Sequence, residues 1–112
     1  MTDHLVQFKK ILDIAVKENA SDLIISVNHY PTIRITGQLL PLVKEKKVTP
    51  QDAEKFAFDL LDEQQKKKFL SEKEVDFSYD FDGKARFRVN IFFQRGWITL
   101  ALRIIPPVIR TI

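Results

Sequence analysis

Arginines on two alternating segments are the residues of this sequence best suited to chemistry. Between residues 85 and 104, apolar side chains recur at every second position, which predicts two antiparallel strands broken at Arg95-Gly96. If these two residues form the hairpin loop, the register sets Arg88 directly opposite Arg103 on the face turned away from the apolar side chains. Like charges facing each other destabilise a strand pair by a few tenths to about 1 kcal/mol. We therefore expect an anion beside the two arginines.

Other chemistry has little support in the sequence. There is no cysteine, which excludes a disulfide framework and cysteine-ligated metal sites. The three glycines form no phosphate-cradling GxxxxGK[ST] loop. His4 and His29 have no spacing typical of a metal site or a catalytic triad, and no two carboxylates are paired on an apolar face. We predict no metal site and no catalytic residues in this chain.

Composition and charge are those of one globular domain. The 112 residues are 45% apolar and 29% charged, with a net charge of +3. The lysines of 44–47 and 66–68 lie among carboxylates and indicate solvated surface, and the aromatic residues lie on apolar faces, so nucleic-acid binding is disfavoured. No apolar run approaches the roughly 18 residues of a membrane span, and no signal peptide is visible. We expect no membrane insertion.

The first half of the chain predicts one helix and two strands. Apolar residues at helical spacing give an amphipathic helix that ends near Asn19, which tolerates the left-handed cap conformation. Strands are predicted over 22–28 and 32–36, with Arg34 pointing away from the core. The leucines that follow Gly37 either continue the second strand or cover the edge of the core.

The second half predicts two helices and three strands. Thr49-Pro50 is a strong helix start, and Asp62 with Gln65 is a weaker one. Alternation then predicts a strand over 75–81, joined to the arginine-bearing strands by a three-residue loop that sets Ser78 beside Arg88. The element order α-β-β-α-α-β-β-β predicts an α+β domain, with one mostly antiparallel sheet and the helices on one face.

The C-terminal residues predict a domain boundary. Pro106-Pro107 removes two ladder donors and ends the last strand, yet apolar residues follow it. We interpret 1–105 as the domain and 106–112 as the start of a linker to a further domain.

Several short motifs, in this order, resemble the N-terminal domain of the secretion-type hexameric ATPases, and most of all that of the type IV pilus retraction motors, which drive twitching motility. The resemblance runs from about residue 5 to 107, and the motifs in this order are together highly specific, although each motif alone has low specificity. Departures are Asn19, where the family usually has glycine, and Ile24, where it often has histidine. The motifs are Asn-Ala-Ser-Asp-Leu at 19–23, Pro-Thr-Ile-Arg-Ile-Thr-Gly at 31–37, Leu-Pro-Leu at 40–42, Val-Thr-Pro-Gln-Asp at 48–52, Arg-Phe-Arg-Val-Asn at 86–90, Gln94-Arg95 and Leu-Arg-Ile-Ile-Pro-Pro at 102–107.

This resemblance implies a PAS-like fold linked to a C-terminal RecA-like motor domain that binds ATP with Mg²⁺. It implies a homohexameric ring in the cytoplasm, in which this domain contacts its own motor domain and neighbouring subunits. It also implies association with a platform protein of the pilus machine at the inner membrane. The chain by itself is expected neither to hold a nucleotide tightly nor to hydrolyse ATP.

The resemblance also implies roles for individual residues. Arg88 and Arg103 are implied to reach the nucleotide phosphates, with help from Arg95. A phosphate between two guanidinium groups would turn their repulsion into charge-assisted hydrogen bonds. Trp97 is interpreted either as a docking contact or as a cover for the edge of the sheet. The alternative function is a stand-alone PAS-like module that binds a small ligand or a partner protein.

Overall fold

The structure, a computed structural model, describes residues 3–105. Within this range it contains three helices and six strands, which confirms the α+β prediction. In chain order they are α1 (Asp3–Lys17), β1 (Asp22–Ile25), β2 (Thr32–Ile35), β3 (Gln38–Pro41), α2 (Pro50–Leu60), α3 (Glu63–Glu72), β4 (Glu74–Phe81), β5 (Ala85–Gln94) and β6 (Trp97–Ile105).

All six strands form one antiparallel sheet in the order β3-β2-β1-β6-β5-β4. The helices cover one face, and alternate side chains of the strands point into the layer between sheet and helices. Phe8 of α1 stacks on Phe56 of α2, and Phe69 of α3 stacks on Phe93 of β5, each with ring centroids 4.9 Å apart. Fully buried side chains of the strands complete the core: Leu23, Ile25, Phe87, Val89, Ile91 and Leu100.

Both predicted helix starts are confirmed by capping boxes. The Thr49 hydroxyl accepts a hydrogen bond from the backbone N–H of Asp52 at 3.0 Å, and the Asp52 carboxylate accepts one from the backbone N–H of Thr49. Asp62 and Gln65 make the same reciprocal pair at α3. These side chains satisfy backbone donors that the first turn of a helix leaves without intrahelical partners.

The registers of the three C-terminal strands are those predicted. The loop of residues 82–84 pairs Phe81 with Ala85, and the two-residue loop Arg95-Gly96 pairs Phe93 with Ile98. Arg95 and Gly96 both have positive φ, 54° and 85°, as a type I′ hairpin turn requires.

One strand of the sheet was not predicted. Residues 38–41 do not continue β2, because Thr36 and Gly37 reverse the chain with φ of 45° and 83°. They form a strand of their own, β3. β3 then pairs with β2, with Ile35 opposite Gln38. All four β3 residues are exposed, so the strand has no buried face and no alternating pattern in its sequence.

Strand β1 is shorter than predicted. β1 ends at Ile25 and not at Asn28 as predicted, because the chain turns away from the sheet and the N–H of Asn28 bonds to the carbonyl of Val48 at 2.7 Å. The predicted linker, 106–112, lies outside the described residues, so the division at residue 105 remains a prediction.

Candidate functional site

Arg88 and Arg103 lie side by side on the face of the sheet that no helix covers. They are directly opposite each other in the β5–β6 register, as predicted from the sequence. Their side chains are 67% and 73% exposed. Two guanidinium groups therefore project from neighbouring strands into solvent.

Each of these arginines has a carboxylate partner. Arg88 donates to Asp76 of β4 from Nε at 3.3 Å and from Nη2 at 3.4 Å, and Arg103 donates from Nε to Asp22 of β1 at 3.2 Å. The anion expected beside the arginines is thus supplied, in this structure, by two aspartates of the chain itself. Sequence reasoning missed both partners.

The two aspartates differ in how well the sequence signals them. Asp76 stands two residues before Ser78 on the same face of β4, so a diagonal contact to Arg88 follows from the predicted register. Asp22 lies opposite Arg103 only because β1 and β6 are neighbours, and no short-range pattern reveals that pairing. Because an arginine side chain is long enough to reach a diagonal neighbour, the predicted register could have identified Asp76 as a partner of Arg88.

A third arginine extends the row. Arg34 of β2 is opposite Asp22 in the register, and its Nε lies 3.4 Å from Oδ2 of that carboxylate. The Ser21 hydroxyl donates to the same oxygen at 2.8 Å. The row therefore carries three positive and two negative charges, and we call Arg34, Asp22, Arg103, Arg88 and Asp76 the arginine row.

The arginine row lines a concavity of about 720 Å³ on the open face. Asn90 and Ser21 add polar groups to its wall. Exposed ion pairs of this kind contribute only about 0–1 kcal/mol each, because water and salt screen them. A phosphate group offers each guanidinium a planar, doubly hydrogen-bonded contact. The concavity can therefore exchange carboxylate partners for phosphate oxygens at small cost.

Arg95, the third predicted phosphate contact, lies apart from the other two. It is in the β5–β6 turn, seven residues along the strand from Arg88, which corresponds to about 23 Å at 3.3 Å per residue. With His29 and the half-exposed Trp97 it lines a separate concavity of about 310 Å³. The structure brings Arg88 and Arg103 together and leaves Arg95 at the other end of the hairpin.

The residues that the structure describes include no group of three or more His, Cys, Asp or Glu side chains placed to hold a metal ion. Among the same residues, no helix is long and apolar enough to cross a membrane.

Known proteins similar to this chain include type IV pilus ATPases. No protein-family model matches the sequence. Type IV pilus ATPase PilU of Pseudomonas aeruginosa is 30% identical over 107 residues, which cover 96% of this chain and 28% of PilU. The type IV pilus retraction ATPase PilT of the same organism is 34% identical over 106 residues, which cover 91% of this chain and 29% of PilT. The chain thus spans less than a third of the length of these relatives.

Solved structures show the same similarity. The crystal structure of the pilus retraction motor PilT with bound ADP matches 91% of this chain and 30% of that one, with a TM-score of 0.84 at 34% identity. The Legionella pneumophila ATPase DotB matches 90% of this chain and 29% of that one, with a TM-score of 0.74 at 25% identity. Sequence and fold together identify the chain as a homologue of the N-terminal domain of PilT-like secretion ATPases.

Proposed function

We propose that this chain is the nucleotide-sensing and ring-assembly domain of a hexameric type IV pilus retraction motor. Support comes from its similarity, over nine tenths of its length, to PilU and PilT and to a PilT structure that holds ADP. The motor domain that would bind ATP with Mg²⁺ is a separate part of such a protein. The observation that carries the proposal is the adjacent placement of Arg88 and Arg103 on the open face.

In the proposed mechanism, the two arginines sense phosphate that the motor domain presents. When the domains close over ATP, Arg88 and Arg103 exchange their aspartate partners for phosphate oxygens. The aspartate pairs are exposed and screened by water, whereas charge-assisted bonds to a phosphate enclosed between the closed domains are screened less, so the contact favours the closed arrangement. Loss of the γ-phosphate removes acceptor oxygens, and the two domains are then free to open. The arginines here bind and sense, and the hydrolytic step belongs to the motor domain.

The far end of the same hairpin suits ring assembly. Trp97 is 45% exposed and stands next to the turn that carries Arg95. Tryptophan and arginine are enriched at the centres of protein interfaces. We propose that this end docks on a neighbouring subunit, which would give Arg95 a partner other than the phosphates contacted by Arg88. Cytoplasmic location at the inner membrane and contact with a pilus platform protein follow from the same proposal.

The packed interior argues against one form of the alternative, a stand-alone PAS-like module that holds a small ligand between sheet and helices. Phe8, Phe56 and Phe87 have at most 1% exposure and fill the space between sheet and helices. A small ligand would have to displace these rings, and emptying a core of large side chains costs several kcal/mol.

Substitution of the arginines in the full-length protein tests the proposal. We expect Arg88→Ala and Arg103→Ala each to lower kcat/KM for ATP about tenfold or more, because a hydrogen bond to a charged group contributes about 1.5–3 kcal/mol. The measurement is steady-state phosphate release, with circular dichroism to verify the fold.

Arg86→Ala is the matched control. Arg86 is exposed on the same face of β5, two residues from Arg88, but does not line the concavity. Its replacement should leave kcat/KM near the wild-type value. Wild-type turnover in both Arg88→Ala and Arg103→Ala would contradict the proposal.

A further inference from the structure

Asp22 is shared by two arginines of the arginine row. Its Oδ1 accepts from Nε of Arg103 at 3.2 Å, while its Oδ2 lies 3.4 Å from Nε of Arg34. The Asp22 side chain is only 19% exposed, whereas that of Arg103 is 73% exposed. The carboxylate is therefore fixed in the wall of the concavity, and Arg103 is the partner that is free to move into solvent.

The bond geometry leaves Arg103 able to bind a second anion. In the part of the chain that the structure describes, Arg103 contacts Asp22 through its Nε. The two terminal nitrogens of a guanidinium form a fork that matches two phosphate oxygens. A phosphate held there would lie close to the Asp22 carboxylate, and two negative charges at short range repel each other.

Arg34 decides how strong that repulsion is. Once Arg103 turns to a phosphate, Arg34 still neutralises Asp22 from the other side. Without Arg34, the remaining two arginines of the row face two aspartates, and their charges cancel. Asp22 would then hold Arg103 as its only arginine partner in the row and would repel the incoming anion.

We propose that Asp22 is an exchangeable counter-charge that competes with a polyphosphate for Arg103, and that Arg34 is a positioning residue that weakens this competition. The inference rests on the proposed function, because it assumes that Arg103 contacts phosphate. Arg34 touches no phosphate in this scheme. It acts through Asp22, so its effect must vanish when the Asp22 charge is removed.

Equilibrium binding of a non-hydrolysable ATP analogue to the full-length protein tests this scheme. Asp22→Asn keeps the size of the side chain and removes its charge, so we expect Kd to fall about twofold to threefold. Arg34→Gln should raise Kd about threefold to fivefold, which is the upper part of the range that one exposed ion pair can contribute. In the double variant, Arg34→Gln should have no further effect on the Kd of Asp22→Asn.

The outcomes separate this inference from the proposed function. A raised Kd in Asp22→Asn would mean that the carboxylate supports Arg103, and it would overturn the inference. An unchanged Kd in Arg34→Gln, or an equal loss from Arg34→Gln in both backgrounds, would overturn it as well. Arg86→Gln, the matched control, should bind as wild type does. If Arg88→Ala and Arg103→Ala both bind the analogue as wild type does, the phosphate contact itself is absent and the proposed function fails.

Discussion

The arginine row places two like charges on directly opposed residues of neighbouring strands. Arg88 and Arg103 face each other directly, and each is balanced by an aspartate on the strand beyond it. These exposed pairs contribute little to folding. A weakly held guanidinium is available to a stronger acceptor such as a phosphate, which is the exchange that we propose.

At the same scale, Tyr79 gives a prediction that concerns stability. Partial burial raises the pKa of the Tyr79 phenol above its ordinary value of 10.0, and the carboxylates of Asp82 and Asp80 raise it further. Well below pH 10 the phenol is protonated in both the folded and the unfolded chain, so its titration does not change the free energy of unfolding there. Above that pH the unfolded chain loses the proton first, and the free energy of unfolding falls.

Tyr79→Phe should therefore reduce the fall in stability above about pH 10 while changing little at pH 7. The new phenylalanine keeps the ring that stacks on Phe87 at 6.4 Å. Urea denaturation at a series of pH values measures this. Tyr30→Phe is the matched control and should leave the Tyr79 contribution in place. Identical alkaline profiles for wild type and Tyr79→Phe would refute the prediction.

At the scale of elements, the sequence predicts what local patterns determine. The β4, β5 and β6 registers follow from alternation and two short loops, and the structure has the same pairs. The starts of α2 and α3 follow from capping residues, since their hydrogen bonds join residues three positions apart. This local logic was sufficient to place Arg88 beside Arg103.

Elements without a local signature were missed. β3 lies at the edge of the sheet with both faces exposed, so burial imposes no pattern on its residues. The pairing of β1 with β6 joins Asp22 to Arg103, 81 positions apart, and depends on how the whole sheet assembles. The sequence alone therefore could not identify Asp22 as the carboxylate partner of Arg103.

The capping box of α2 gives a prediction at this scale. Thr49→Ala removes the hydroxyl that accepts from the N–H of Asp52, and we expect the free energy of unfolding to fall by about 1 kcal/mol. Thr49→Ser keeps the acceptor and should retain most of the stability. Urea denaturation midpoints at constant m-value measure both variants. An alanine variant as stable as the serine variant would show that the cap does not stabilise α2.

At the scale of the whole molecule, the two faces of the sheet have different roles. One face is sealed by three helices, and the other presents the arginine row to solvent. The chain matches less than a third of PilU and PilT, so the phosphate that the row is proposed to contact would come from a part of the protein beyond this domain. In the proposed sensor, the sheet holds the arginine row in place, and closure of the domains brings the phosphate to it.

A structure of the full-length protein with a non-hydrolysable ATP analogue tests the central claim most directly. The account predicts that guanidinium nitrogens of Arg88 and Arg103 lie about 2.7–2.9 Å from phosphate oxygens in the closed subunits. Their bonds to Asp76 and Asp22 should be lengthened or lost there. Closed, nucleotide-bound subunits in which both arginines keep their aspartate partners and touch no phosphate would contradict it.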